Sequence, residues 1–441
     1  VRVSGVSPPI TICGFNNDIN TLERAVKERV FFVRENGVFV EPPRPDDGYF
    51  AEQLRAVKAD ILPLLPRAAP LTAIGFVDSF RGRKRKLYEN ALKTLLERSV
   101  VEKDSHVKVF VKYEKVDFTN KADPVPRVIS PRSPRYNIEV GRYLRPIEEK
   151  IFRSIARLYG DTTVLKGMNS ECMAKCLRSK WDYFREPVAV GLDASRFDQH
   201  VSRDALQWEH SLYVECFPTR KHRKRLAELL DMQLSNVCRG YVADGDLSYK
   251  TEGGRMSGDM NTSLGNCLLM CCMVLAYARH VGVRIRLANN GDDCLVFMER
   301  SDLLQFQSQL DAWFRAMGFS MAVEEPAFDF ERAEFCQTRP VWVGPGASDY
   351  IMVRNPKLSL SKDTVTVHGW QGEGVFRGWM HAVGTGGLAL AGGIPVVQEF
   401  YAAMARSGKY RPGVSDEQSW GVRHLIAGMQ RGYGDISPAT R

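Results

Sequence analysis

Three short stretches carry acids and amides at spacings that could do chemistry. Val188-Ala189-Val190-Gly191-Leu192-Asp193 is an apolar run ending on a carboxylate, the pattern of a buried strand that delivers an acid to an edge, and Asp198 follows shortly after. Asn289-Asn290-Gly291-Asp292-Asp293 lies between Val283–Leu287 and Cys294–Met298, so it reads as a hairpin with two carboxylates in its turn. Between them the glycine-rich Gly253–Gly258 loop opens onto a long apolar helix on which Thr262 and Asn266 share a face. Phosphoryl transfer with two divalent ions about 3.5–4 Å apart needs carboxylates from separate chain segments. Asp193 and Asp292 at neighbouring strand ends would meet that need. Acids without histidine suit Mg²⁺ or Mn²⁺, two ions in all, and none of the 8 histidines shows metal-ligand spacing.

Each stretch taken alone also has a plainer reading. Two aspartates flanking a turn fit a solvated loop, Asn-Gly is a common hairpin turn in which acids can simply be hydrated, and a glycine loop before a helix can be turn chemistry. The conjunction of all three favours a site.

The elements that would position them are readable in outline. A helix is expected around Leu22–Val33, and another after the basic run Arg81–Lys86, with Leu87, Ala91, Leu95 and Leu96 on one face. Val107–Val116 reads as a strand, and Asn120–Arg145 as a proline-stiffened basic segment carrying Lys121, Arg127, Arg132, Arg135, Arg142 and Arg145. Ser202 and Asp204 fit the cap and acidic first turn of a helix bearing Ala205, Trp208 and Leu212. No repeat or long linker appears, so subdomains should interleave along the sequence.

Composition sets wider bounds. The 441 residues, 44% of them hydrophobic, exceed one compact core, and 61 Lys plus Arg against 52 Asp plus Glu leave +9, a modest bias toward a polyanionic partner. Ten cysteines without paired C-x-x-C spacing read as reduced thiols and no zinc. The longest apolar run, Cys267–Ala278, falls short of the roughly 20 residues of a membrane span, and nothing at the start resembles a signal peptide. A soluble chain is expected; its start at Val1 leaves room for an upstream segment able to hold a membrane anchor.

The three stretches resemble motifs A, B and C of viral RNA-dependent RNA polymerases, most closely the tombusvirus-like group of positive-strand RNA viruses. Motif A resembles D-x4-D in Asp193 and Asp198, motif B resembles S-G-x3-T-x3-N in Ser257, Gly258, Thr262 and Asn266, and motif C is the Gly291-Asp292-Asp293 triplet. Val111–Lys115 and Pro126–Ile129 are similar to motif F, and Glu334-Phe335-Cys336-Gln337 to motif E. The resemblance implies that Asp193 and Asp292 bind both metals with Asp293 in support, and that Asp198, Ser257, Thr262 and Asn266 sense the ribose. It further implies that Lys112, Lys115, Lys121 and Arg127 hold the triphosphate. Arg132, Arg135, Gly258, Cys336, Gln337 and Lys357 are candidate RNA contacts, although for the two arginines carbonyl bonding within a proline loop fits equally. One departure stands out: Gly318–Glu325 lacks the lysine that many relatives place in motif D, so the general acid stays unassigned.

These readings imply an α+β right-hand polymerase with an antiparallel palm sheet backed by helices. The expected divisions are an N-terminal extension and fingers (1–185), palm (186–206), a fingers insertion (207–250), palm (251–345) and thumb (346–441), with the N-terminal segment bridging fingers to thumb. Expected partners are template and nascent RNA, ribonucleoside triphosphates, other replicase subunits and host factors. The expected location is the host cytoplasm, in membrane-associated replication complexes held by segments or partners outside this chain. A reverse transcriptase shares the palm acids, but Asn289-Asn290-Gly291 and the Asp198/Asn266 pair argue against it. A replication scaffold without activity is the non-enzyme rival, and the intact acids count against it.

Overall fold

The computed structural model describes residues 11–119, 122–344, 349–367 and 372–414. Its centre is an antiparallel four-stranded sheet in the order Arg286–Asn290, Asp293–Glu299, Pro187–Ala194, Met321–Val323. Val188, Val190 and Leu192 on one face and Ala189, Leu295 and Phe297 on the other are all buried, which is why these strands read as near-continuous apolar runs. Helices cover both faces, and the class is α+β. The largest core packs the helix Thr262–His280 against Ile151, Ile155, Tyr213 and Phe314. That helix is the one among the described residues long and apolar enough to cross a membrane, and 78% of it is buried in the interior.

A second four-stranded sheet joins distant segments: Val128–Ile129, Val107–Val111, Ser235–Val242 and Gly245–Glu252. Residues 235–252 therefore belong structurally with the N-terminal third of the chain. A third unit is the hairpin Thr338–Trp342/Tyr350–Arg354 with the helices Glu373–Ala391 and Val397–Ser407, which share their own core. Gly384 and Gly387 allow those two helices to close, since a Cβ at either would fall within 2.3 Å of Ala405 or Tyr401 atoms. The second and third units touch where the Tyr113 hydroxyl donates to the Val367 carbonyl at 2.6 Å and Lys115 donates to the Lys362 carbonyl.

Several expectations shift. The N-terminal helix is shorter, Ile19–Val26, and passes into a π-helical turn, Lys27–Phe31. The strand from Val107 stops at Val111. In the basic helix, Gly82–Glu97, Leu87 and Leu96 are exposed, and the packed face is Tyr88, Ala91, Leu92 and Leu95. The proline-rich segment, where described, is a loop interrupted by the short strand Val128–Ile129 as far as Ser133. There Ser133 caps and Pro134 opens the helix Pro134–Leu144, a combination that suits Pro because the first helical N–H has no partner inside the helix. Ser202 caps Arg203–Glu215 as expected, its hydroxyl accepting from the Ala205 N–H at 3.1 Å.

Candidate active site

In the central sheet Asp293 pairs directly opposite Asp193, and Asn290 pairs with Asp293, so the turn between the strands is Gly291-Asp292. It is not the Asn-Gly turn that the sequence suggests. Gly291 supplies the one positive φ, +79°, at the first central position, the form in which glycine matches the twist of a two-residue hairpin. Asp292 is thereby carried to the tip beside Asp193. The turn is held from beneath: buried Asn289 donates to the Gly291 carbonyl at 2.7 Å and the Asp293 carbonyl at 3.3 Å, while the Gly291 N–H donates to Cys267 Sγ at 3.2 Å. From the side, Asn290 donates to Cys336 Sγ at 3.3 Å.

All three carboxylates open on solvent, yet no Lys or Arg among the described residues lies within ion-pair distance of them. Burial by the surrounding walls, followed by the charge of Asp193, raises the pKa of Asp292; burial and then Asp292 raise that of Asp293. Negative charge is concentrated here without a direct ion-pair partner, and the charge of Arg127 opposes the shift at Asp292 only in part. Such an all-oxygen set fits Mg²⁺ or Mn²⁺, which take few protein carboxylates and complete their shell with other oxygens. The three carboxylates do not stand as a preassembled ligand group, and no group of three or more metal-ligating side chains occurs among the described residues.

A cavity of about 930 Å³ opens over this edge and is lined by Asp193, Asp198, Ser257, Thr262, Asn266, Asp292 and Arg127. Asn266 Nδ2 donates to Asp198 Oδ1 at 3.0 Å, joining residues that are 68 apart in sequence. Burial raises the Asp198 pKa, with the Asn266 hydrogen bond and the Arg255 charge opposing the shift. The Thr262 hydroxyl donates within its own turn, to the carbonyls of Met256 and Asp259. Ser257 Oγ accepts from the Ser130 N–H at 2.9 Å, and Gly258 lets the two loops meet, because a Cβ there would lie 2.5 Å from Pro131 Cα. The role of Gly258 in this structure is close packing.

The basic residues divide sharply. Arg127 lines the cavity with its side chain 60% exposed, 3.6 Å from Glu114, which also pairs with Lys112 at 2.8 Å. Lys115 turns away from the cavity to Lys362, and burial lowers its pKa. Lys121 lies outside the described residues, and Lys357 is exposed in the first turn of Pro356–Asp363. Arg132 and Arg135 are corrections to the RNA-contact reading: both are buried and saturated. Arg132 bonds Asp259, Asn236 and the Ser105 carbonyl, and Arg135 bonds Asp104, Thr94 and the carbonyls of Arg98 and Ser99. Their charge satisfies the interior and is unavailable to a ligand. Cys336 and Gln337 form the two-residue turn before Thr338, both with left-handed φ, +52° and +61°.

Sequence reasoning missed a further cation group. Arg29, Arg44 and Arg196 reach the same cavity, carried by the N-terminal segment and the loop after Asp193. Arg29 donates to the Val125 carbonyl, its buried Nε has no partner, and burial together with the charges of Arg196 and Arg127 pushes its pKa down to about 10. Arg196 is fastened to the carbonyls of Glu28 and Phe32. The missed signal was the π-helical turn, which has no sequence signature of its own.

An all-antiparallel acid-edged sheet, an amide-bearing glycine loop and a cation-lined cavity come together here in one α+β chain. The chain belongs to the family of viral RNA-dependent RNA polymerases, matching it over residues 1–441. Among its relatives it is similar to the RNA-directed RNA polymerase of Oat chlorotic stunt virus, 50% identical over 459 aligned positions covering 100% of this chain and 61% of that protein. It is also similar to those of Tobacco necrosis virus (44% identical, 91% of this chain, 54% of the relative) and Tomato bushy stunt virus (45%, 88% and 46%). The chain thus spans about half to three-fifths of the length of the curated relatives it matches.

Proposed function

We propose that this chain catalyses template-directed RNA synthesis: in-line attack of a nascent 3′-hydroxyl on the α-phosphate of a ribonucleoside triphosphate, with pyrophosphate released. The observation that carries this reading is that Asp193 and the turn residue Asp292, neither in an ion pair among the described residues, line the edge of the cavity that also holds the Asp198–Asn266 pair. Asp193 and Asp292, with Asp293 beside them, would hold two Mg²⁺ or Mn²⁺ ions, which when bound activate the attacking hydroxyl and neutralise phosphate charge. Asp198 and Asn266 read the ribose 2′-hydroxyl, with Ser257 and Thr262 shaping the loop behind them. A site built to bond a hydroxyl rejects the analogue that lacks it by leaving buried polar groups unpaired. Arg127, with Arg29 and Arg196 behind it, receives the triphosphate, with Lys112 nearby; Lys121, outside the described residues, is kept as a triphosphate contact from the family resemblance.

The architecture that goes with this activity is a right hand. Residues 186–206 and 251–345 form the palm around the central sheet, 1–185 and 207–250 the fingers around the second sheet, and 346–441 the thumb. Pairing of Ser235–Val242 with Val107–Val111 supports assigning both fingers segments to one unit. The contacts of Tyr113 and Lys115 with the Val367 and Lys362 carbonyls support a bridge from fingers to thumb, and the N-terminal segment expected to share in it begins outside the described residues. Template and nascent RNA, other replicase subunits and host factors are the partners, and the setting is a membrane-associated replication complex in the host cytoplasm, attached through segments or partners outside this chain.

The test is incorporation of labelled nucleotide on an RNA template with Mg²⁺ or Mn²⁺, comparing wild type with Asp292→Ala. Loss of at least about 10³-fold in the variant at matched thermal stability is expected. Equal activity in both would overturn the site, and metal-independent inactivity of the wild type would favour a scaffold.

A further inference from the structure

Behind the Asp198–Asn266 pair lies a buried ion pair that the reaction does not touch. The Glu209 and Arg255 side chains are fully buried and meet as a fork: Arg255 Nη1 donates to Glu209 Oε1 at 3.1 Å and Nη2 donates to Oε2. Glu209 Oε1 also accepts from Asn261 Nδ2 at 2.9 Å and from the Tyr213 hydroxyl at 2.8 Å. With both terminal nitrogens held by Glu209, the guanidinium's third nitrogen, Nε, donates to Asn266 Oδ1 at 3.2 Å. The Arg255 backbone N–H donates to the Asp198 carbonyl at 2.8 Å, so the same residue is tied to both members of the sugar-facing pair.

An asparagine amide carries a donor end and an acceptor end, and a half-turn exchanges them. Here the two ends meet opposite chemistries. Arg255 can only donate, which requires Oδ1 on its side; the Asp198 carboxylate can only accept, which requires Nδ2 on the other. Inverting the amide would set donor against donor and oxygen against oxygen. Gly265, next to Asn266 on the helix, is part of the arrangement: a Cβ there would lie 2.3 Å from Arg255 Nη2 and 2.5 Å from each Glu209 oxygen. The ion pair occupies the space of the missing side chain.

We infer that Glu209 and Arg255 are positioning residues for sugar selection: the buried fork fixes the Asn266 amide with its NH₂ on Asp198, and so holds the Asp198 carboxylate where a ribose 2′-hydroxyl meets it. The inference rests on the ribose-sensing reading of Asp198 and Asn266. A pair that merely stabilises the fold would leave sugar preference alone, whereas a positioning pair acts through Asn266 and loses its effect once Asn266 is gone.

The experiment measures kcat/KM for GTP and dGTP in wild type, Asn266→Ala, Arg255→Lys and the double variant. The ratio within one preparation cancels the fraction of folded enzyme, so partial unfolding does not obscure it. Arg255→Lys keeps the charge for Glu209 but lacks the fork; it should lower the GTP/dGTP ratio by about 5- to 10-fold, the order of one ordinary net hydrogen bond. Asn266→Ala should lower it at least as far, and the double variant should match Asn266→Ala alone, because contacts in one network are not additive. If Arg255→Lys yields no enzyme, Glu209→Gln, which retains an oxygen for Arg255, takes its place with the same expectation. A wild-type ratio in Arg255→Lys beside a reduced ratio in Asn266→Ala overturns the inference alone, as does a double variant whose loss is the product of the two. A wild-type ratio in Asn266→Ala overturns the sugar-sensing reading itself.

Discussion

The cavity is bordered by two kinds of charge. At its edge Asp193, Asp292 and Asp293 crowd one end of the sheet with no ion-pair partner among the described residues; behind its walls Arg132–Asp259 and Arg255–Glu209 are buried pairs, each guanidinium nitrogen bonded to an acceptor. The aspartates open on solvent while the two pairs are buried, and the groups differ as sharply in compensation. Burial of an unpaired charge is expensive, so a folded chain either pairs such groups or keeps them for a ligand that will. The paired arginines organise the loops, and the unpaired aspartates, with the mutually repelling Arg29, Arg196 and Arg127, are on the proposed function the groups that substrate charge would meet. Position in sequence does not separate the kinds: Arg127 and Arg132 are five residues apart and fall on opposite sides of the division.

That division predicts opposite phenotypes for those two arginines. Arg132→Met should cost about 3–5 kcal/mol in urea unfolding, because it strands Asp259 and Asn236 without their buried partner. Its effect on the salt dependence of RNA binding should be nil. Arg127→Ala should stay within about 0.5 kcal/mol of wild-type stability, since its exposed contact with Glu114 is weak. It should instead raise the nucleotide KM about 10-fold, the scale of one charge-assisted hydrogen bond to phosphate. Exchange of the two phenotypes would break the comparison.

Acid should act on the two charge groups in opposite senses. Asp292 has a folded pKa above its unfolded value, so its ionised form costs stability above that unfolded value, and the cost is relieved as pH falls through the folded pKa. For Glu209, burial raises the pKa but the charge and hydrogen bonds of Arg255 prevail and lower it. Its stabilisation is therefore present above the ordinary glutamate range and disappears only as pH drops through the depressed folded value. The Tm of Asp292→Asn should exceed that of wild type at pH 7, with the gap narrowing as pH falls through the raised folded pKa toward the ordinary aspartate range. A gap that is absent at pH 7, or that widens on acidification, would contradict the assigned repulsion.

Much of the active edge was legible in the sequence because its determinants are local. The strand ending at Asp193, the Ser202 cap and the acidic hairpin each follow from the order of neighbouring residues. Burial of charge is not local in that sense. Arg132 and Arg135 read as cations on a loop because their partners, Asp259 and Asp104, lie elsewhere in the chain, and Ser133-Pro134 looked like a further stretch of loop when it was a helix start. A signal was nevertheless present for Glu209. It falls on the apolar stripe of Ala205, Trp208 and Leu212, and an acid on the stripe a helix buries implies a partner inside. Arg29 offered no such clue, since its approach to the cavity depends on Arg196 fastening the π-helical turn across more than 160 residues.

The smallest expected effect tests the side support of the catalytic turn. Cys336 and Gln337 hold left-handed φ without being glycine or asparagine, a conformation that costs an L residue about 1–2 kcal/mol. Cys336 has a use for the strain, since its sulfur accepts from Asn290 next to the catalytic turn. Gln337 has no comparable contact with that turn. Gln337→Gly should therefore relieve native strain, partly offset by greater freedom of the unfolded chain, for a net gain of about 0.5 kcal/mol with activity retained. Cys336→Gly should gain similar backbone relief yet lose activity, because Asn290 loses its lateral partner. Measured together by thermal unfolding and incorporation, the two variants separate strain that the turn merely tolerates from strain that the carboxylate edge uses, and equal activity in both would place the whole turn in the first category.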